Sequence, residues 1–261
     1  MSISLIVTTY NRPEALLLVL KSIECQILPP SEVIIADDGS DEQTKDLISE
    51  FNSQSNLEIL HSFQEDLGFR AAEARNKAIS ISKSDYIILV DGDMVLHPEF
   101  VADHLKNAKF GFFIQGSRSL LTEKKTKDVI IRHQLVFNFL SSGLNNRFNS
   151  IHSNFLSKFF SIKENYLKGI KTCNMSFFKK DFISVNGFNN EFKGWGREDS
   201  EFIVRLLNKG INRITLKFSA IQYHLWHDEV DRKALVVNDK LLQKAVTENL
   251  DWCDQGINKF L

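Results

Sequence analysis

Cysteine is scarce in this chain of 261 residues, with three in all: Cys25, Cys173 and Cys253. They stand too far apart for a CxxC zinc site or a disulfide framework, and such usage suits a reducing cytoplasm. No apolar run approaches the roughly 18 residues that a membrane span needs. The Met1–Val7 stretch has no basic n-region, so it reads as a first strand and not as a secretory signal. Net charge is lacking too. Lys plus Arg number 32 against 33 Asp plus Glu, which removes a whole-surface electrostatic grip on nucleic acid. No GxGxxG opens the first helix and no GxxxxGK[ST] occurs anywhere, which argues against a dinucleotide site and a P-loop ATPase.

What is present alternates between strand and helix patterns. Apolar runs at Ser4–Thr9, Glu32–Ala36, Leu57–Phe63 and Tyr86–Val90 predict strands. Between them, Pro13–Gln26 carries Leu16, Leu17, Leu20 and Ile23 at helical spacing, and Glu42–Phe51 and Ala71–Ser82 read as further helices. Successive strands start about 25–30 residues apart, the length of a βαβ unit. The expected fold is therefore α/β, a mostly parallel central sheet with helices on both faces. Ligands of such sheets bind beyond the carboxyl ends of the strands. Polar clusters stand at those places: Thr8–Arg12, Asp37–Ser40, Gly68–Arg70 and Asp91-Gly92-Asp93.

The second half differs in character. Residues 121–180 hold eleven Lys/Arg against three Asp/Glu, so a near-neutral total conceals a basic middle. This stretch also carries the apolar pairs Phe155-Leu156 and Phe159-Phe160. A strand is expected within 171–178. The Gly194–Asp199 loop leads into a helix over Ser200–Asn208, a last strand is expected over Ile214–Tyr223, and a helix over 231–250.

Several clusters can carry chemistry. With only Gly92 between them, the carboxylates of Asp91 and Asp93 can turn toward one point, which suits a hard divalent cation. A plain Asp-Gly turn would use the same residues. Carboxylates at Asp37-Asp38 can accept from a nucleobase imide or a ribose hydroxyl, while Ser40 or Asp41 caps the next helix. Arg70 and Arg75 lie near a helix start, where cations favour phosphate; Lys77 reads as a solvated charge. Trp195 between two glycines offers an indole face to a sugar ring. Glu198 and Asp199, at a helix start beside it, offer a general base, or a helix cap. His224 ends a strand and His227 follows three residues on; either imidazole can complete a metal shell.

Together these clusters resemble the family 2 inverting glycosyltransferases of the GT-A fold. The resemblance runs over about residues 3–117 and 168–227. It rests on Thr9-Tyr10-Asn11-Arg12, Asp37-Asp38-Gly39-Ser40, Gly68 with Ala74-Arg75-Asn76, Asp91-Gly92-Asp93 as a DxD motif, and Asn186-Gly187-Phe188 followed by Gly194-Trp195-Gly196-Arg197-Glu198-Asp199-Ser200-Glu201. The last of these is similar to the NGF…WGxEDxE segment of galactosyltransferase and chondroitin-polymerase-type domains. The resemblance does not extend over roughly residues 118–167. The resemblance implies one continuous Rossmann-like GT-A domain, with nucleotide-sugar binding over 1–117 and a smaller acceptor and catalytic-base region over 118–261.

It further implies a UDP-sugar site made by Thr9, Tyr10, Asn11, Arg12, Asp38, Gly68, Arg75, Asp91 and Gly92. Asp93 would ligate Mn²⁺ (or Mg²⁺), with His224 as partner and His227 in reserve. Asp199 would be the catalytic base, and Trp195, Gly196 and Glu198 would position a glycan or lipid-linked acceptor. The implied reaction transfers a hexose or N-acetylhexosamine with inversion, in bacterial cell-surface polysaccharide synthesis. A non-catalytic carbohydrate-binding scaffold of the same fold is the alternative, and the presence of both the DxD and the Glu-Asp carboxylates speaks against it. A sugar-nucleotide-forming enzyme would need a basic Gly-rich phosphate loop near the N-terminus, which is missing. The basic, Phe-rich middle is expected either to touch an anionic membrane at its cytoplasmic face or to be a folded acceptor-side insertion.

Overall fold

The computed structural model describes residues 1–228 and 231–261. In chain order the first half contains β1 (Ile3–Thr9), α1 (Pro13–Glu24), β2 (Glu32–Asp37), α2 (Glu42–Gln54), β3 (Ile59–Phe63), α3 (Ala71–Ile81), β4 (Tyr86–Asp91), β5 (Met94–Leu96), α4 (Phe100–Asn107) and β6 (Phe112–Gln115). The second half adds β7 (Arg118–Leu121), α5 (Glu123–Arg132), β8 (Leu144–Asn145), α6 (Asn154–Phe160), β9 (Ile162–Glu164), β10 (Asn174–Phe178), α7 (Lys179–Ser184), α8 (Glu198–Asn208), β11 (Asn212–Thr215), β12 (Gln222–His224) and α9 (Leu235–Thr247).

Eight strands form one sheet in the order β3-β2-β1-β4-β10-β6-β11-β9. The first four are parallel. β10 runs antiparallel to both β4 and β6, β11 is parallel to β6, and β9 is antiparallel at the edge. Burial follows the two-residue period of a strand. In β1, Leu5 and Val7 pack toward Leu16, Val19 and Leu20 of α1 and Phe100 of α4. Ile6, on the opposite face, packs with Ala74 and Ala78 of α3 and Phe202 of α8. β4 repeats this, with Ile88 and Val90 on one side and Ile87 and Leu89 on the other. Such strands have no polar face to show water, which is why they sit in the middle of a three-layer stack. A second sheet, β5-β12-β7-β8, covers a third cluster that includes Leu18, Val129, Leu144 and Tyr223.

Local chemistry fixes the helix starts. Pro13 occupies the first turn of α1, where its missing N–H leaves nothing unpaired. Asp41, not Ser40, caps α2 by accepting from the Thr44 N–H. α8 begins at Glu198, two residues before the expected position, so Glu198 and Asp199 belong to its first turn and neither caps it. The apolar run expected as one strand over Ile214–Tyr223 is two. β11 belongs to the large sheet and β12 to the small one. Between them Phe218 and Ala220 take φ of 57° and 51°, which turns the chain from one sheet to the other. The helix expected over 231–250 is shorter, and residues 229–230 of the sequence lie outside the described residues. Among the described residues no helix is long and apolar enough to cross a membrane.

Candidate active site

The carboxyl ends of β1, β2 and β4 are level: Thr8 lies opposite Asp91 and Thr9 opposite Asp37. Past that edge the Asp38 N–H donates to the Thr9 carbonyl at 3.1 Å and the Gly92 N–H to the Thr8 carbonyl at 2.7 Å. The polar clusters at the strand ends are therefore side by side in space.

Asp38 is held on both oxygens. One accepts from Gln64 Nε2 at 2.5 Å and the other from the Arg70 N–H at 2.6 Å. Burial nonetheless pushes its pKa up, against the lowering pull of these donors. Asn11 (φ 46°) stitches two loops together: its N–H donates to Ser40 Oγ and its side chain accepts from the Asp41 N–H. Tyr10 is exposed and its hydroxyl donates to Asp66 at 2.9 Å. Gly68 (φ 83°) sits in the turn below, where a left-handed backbone favours glycine.

Arg75 on α3 is the hub. It is 4% exposed, and its guanidinium reaches three elements: Thr8 Oγ1 at 3.1 Å, Asp91 at 3.2 Å and Glu198 at 3.4 Å. Burial would lower its pKa, but Asp91, Glu198 and Asp199 together raise it, so it stays charged. Arg70 pairs with Glu73 and Lys77 donates to the Phe63 carbonyl, so neither offers its head group to a phosphate.

Asp91 and Asp93 do not converge on one point as expected. Asp91 turns to Arg75, whereas Asp93 turns to His224, His227 and Arg12. Both imidazole Nε2 atoms lie 3.4 Å from the same Asp93 oxygen, so distance to Asp93 does not rank His224 above His227. Arg12 Nη1 lies 2.9 Å from that oxygen as well. Burial works to raise the Asp93 pKa, yet His224, Arg12 and His227 outweigh it and hold the carboxyl below its usual range. The ligand atoms of Asp93, His224 and His227 lie within 4.8 Å of one another. The other Asp93 oxygen, Oδ1, is buried without a hydrogen-bond partner. One carboxylate and two imidazoles fit a divalent cation, and this donor set suits Mn²⁺ better than the oxygen-seeking Mg²⁺.

The loop before α8 supplies the second half of the site. Gly194, Gly196 and Arg197 have φ of 73°, 106° and 77°, a tight reversal that leaves Trp195 37% exposed. The loop is braced from both sides. Phe69 O accepts from the Gly194 N–H at 2.9 Å, and Asn238 of α9 donates to the Gly196 carbonyl at 2.9 Å. The Arg232 guanidinium stands 5.3 Å from the Trp195 ring centroid, so it covers part of the indole face expected to be open. Asp199 accepts from the Ser200 N–H at 2.6 Å. Burial first, and the adjacent Glu198 carboxylate second, push its pKa up to about 7. A carboxylate poised there can take a proton near neutral pH.

Asp93 and Asp199 line the same cavity, of about 910 Å³. Thr9, Tyr10, Arg12, Asp38, Arg75, Asp91, Gly92, Trp195, Gly196, Glu198 and His227 line it too. Asn11, Gly68 and His224 do not; the first two shape the loops and His224 backs Asp93. Sequence reasoning missed Arg118 on β7, Lys171–Cys173 and Leu235, all of which line the cavity. Burial, and then Asp91, push the Cys173 thiol up to about 12, so it is protonated and inert.

A family model described as glycosyl transferase family 2 matches residues 4–182, and one described as the N-terminal domain of galactosyltransferase matches residues 152–228. The chain is 27% identical over 269 residues to chondroitin synthase of Escherichia coli, covering 94% of this chain and 38% of that protein. It is 30% identical over 226 residues to hyaluronan synthase of Pasteurella multocida, covering 80% of this chain and 23% of that one. It thus spans well under half of these relatives. The structure of S. aureus TarS 1-349 in complex with UDP superposes with a TM-score of 0.62 at 16% identity, covering all of this chain and 68% of that one. That likeness extends to the fold: a large mixed α/β sheet between helices.

Proposed function

We propose, since the chain belongs to glycosyltransferase family 2, that it transfers a hexose or N-acetylhexosamine from a UDP-sugar to a glycan or lipid-linked hydroxyl with inversion of configuration. The observation that carries this reading is one cavity lined by Asp93 and His227, two members of the Asp93–His224–His227 cluster, and by the Asp199 carboxylate. We assign residues 1–117 to the donor side and 118–261 to the acceptor and base side. The UDP-bound state of the TarS neighbour and the polysaccharide synthases among the relatives support a UDP-sugar donor and a role in surface polysaccharide assembly.

In the proposed reaction Thr9, Tyr10 and Asp38 hold the uridine end and Arg75 steadies Asp91 beneath the ribose. A divalent cation held by Asp93, His224 and His227 would neutralise charge on the diphosphate as the sugar bond breaks. Asp199 takes the proton from the acceptor hydroxyl onto its carboxylate, and the acceptor oxygen so freed attacks the anomeric carbon from the face opposite UDP. The sugar–phosphate bond breaks, UDP leaves with the bonding electrons, and configuration inverts. Glu198, tied to Arg75, keeps a negative charge beside Asp199 and so maintains its basicity. Trp195 orients the incoming sugar unit.

The test is UDP release from a donor panel (UDP-glucose, UDP-galactose and their N-acetylamino forms) with Mn²⁺. We expect one donor to be hydrolysed or transferred, with activity lost on chelation. Absence of UDP release from all of them would overturn the reading.

The outer face of α6 supports peripheral contact with an anionic membrane on the cytoplasmic side. Phe155 and Phe159 are 70% and 66% exposed, and Lys158 lies between them in sequence. Flotation with anionic but not with zwitterionic liposomes is expected, and no flotation with either removes this contact.

A further inference from the structure

A second cavity, of about 510 Å³, adjoins the first and shares Arg118, Lys171 and Cys173 with it. It lies between β7, β11 and the 162–171 stretch. Its wall is basic: Arg118, Lys168, Lys171, Arg213 and Lys217 face one carboxylate, Glu164. Arg213 pairs with that carboxylate at 3.3 Å. Among the described residues the other four cations form no ion pair.

Three buried polar atoms on this wall lack hydrogen-bond partners: Gln222 Oε1, Arg213 Nε and Glu164 Oε2. Gln222 is fully buried and Arg213 nearly so. A buried donor or acceptor left unmatched costs free energy, so a wall that gathers three of them is shaped for polar groups from outside. Acceptors at Gln222 and Glu164 suit sugar hydroxyls. The exposed Tyr166 ring offers a flat apolar face to a pyranose. The surplus of cations asks for more than hydroxyls.

We propose that this cavity is the subsite for the acceptor chain, and that the acceptor carries an anionic group, a carboxylate or a phosphate, on a unit behind the one that receives the new sugar. This rests on the glycosyl-transfer reading above. A glycan whose end reaches Asp199 passes the shared wall at Arg118 and Lys171 and continues into the second cavity. Arg118 and Lys171 can also meet donor phosphates. Lys168 and Lys217 line the second cavity and not the first, so they isolate the acceptor's share.

The experiment titrates the full chain, without donor, with three probes: a chondroitin tetrasaccharide bearing carboxylates, a phosphorylated maltotetraose, and neutral chitotetraose. The same titrations are made on Lys168→Ala/Lys217→Ala. At least one anionic probe should bind about tenfold more tightly than chitotetraose, with an advantage that shrinks as salt rises. The double variant should lose about tenfold in that affinity while its UDP affinity stays unchanged. Which probe binds identifies the charged group. An anionic probe that binds no better than chitotetraose overturns the proposal, as does an advantage that survives in the double variant. UDP release from the donor panel alongside such a result would leave glycosyl transfer standing. Lysine-dependent binding without UDP release from any donor would support the groove and sink the donor reading instead.

Discussion

Replacing Asp199 with asparagine separates what its carboxylate does from what it costs. Burial and the neighbouring Glu198 hold the group up to about 7 in the folded protein, whereas an unfolded aspartate titrates near 3.9. The folded state therefore keeps a proton that the unfolded state has lost between those two values, and stability falls as pH rises through that interval. Above about pH 7 the whole penalty is present. Three pKa units at 1.36 kcal/mol each make it on the order of 4 kcal/mol. Asp199→Asn should therefore stabilise the protein by about 2–4 kcal/mol at pH 8 and far less at pH 5. At 2–4 °C per kcal/mol for a chain of this size, the melting temperature should rise by roughly 4–16 °C at pH 8. The same variant should lose about 10²–10⁴-fold in kcat while UDP affinity holds. Thermal melts at the two pH values and steady-state UDP release measure both effects. A variant that turns over at more than a tenth of the native rate, or that melts no higher at pH 8, refutes the argument.

The unmodified protein should show kcat/KM rising with pH through about 7, as Asp199 loses its proton; a flat profile from pH 5.5 to 8 would remove it as the base. His224→Ala and His227→Ala should each weaken Mn²⁺ binding by at least about tenfold, read by calorimetry, because each deletes one ligand of three; unchanged affinity in either excludes that imidazole. Arg75→Met should destabilise the fold by about 3–5 kcal/mol, since it strands the Asp91 and Glu198 carboxylates, and urea denaturation would expose a smaller loss. Trp195→Ala should raise the acceptor KM about fivefold to tenfold without moving UDP affinity; a shift in UDP affinity instead would place the indole on the donor side.

The strand-end side of the cavity was legible because its polar residues directly follow strands. Asp38, Asp91 and Asp93 each stand at or just past the end of an apolar run, and a parallel sheet lines such ends up. The opposite side of the cavity was less so. Arg118 reaches the cavity from a second sheet whose neighbours come from distant parts of the chain. The turn inside 214–223 carries no glycine signal at its left-handed positions, Phe218 and Ala220, so its apolar run looked continuous. The start of α8 was misplaced for the same kind of reason: Arg197 adopts a conformation normally given to glycine. The sharing of Asp91 and Asp93 between different partners depends on Arg75, and no local pattern reveals that a helix 16 residues upstream delivers it.

The Asn186–Phe188 turn gives the chain a late step in its making. Asn186 donates to the Cys253 carbonyl and accepts from the Asn258 N–H. Gly256 lies so close to the Asn186 carbonyl that a side chain there would overlap it. Asn190 Nδ2 donates to the Gly256 carbonyl, and Asn76 on α3 contacts both Phe188 and Asn190. During vectorial synthesis the first strands can pair long before residues 253–258 leave the ribosome. A nascent chain stalled short of that point would carry its first strands already paired and the Asn186–Phe188 turn still unlocked.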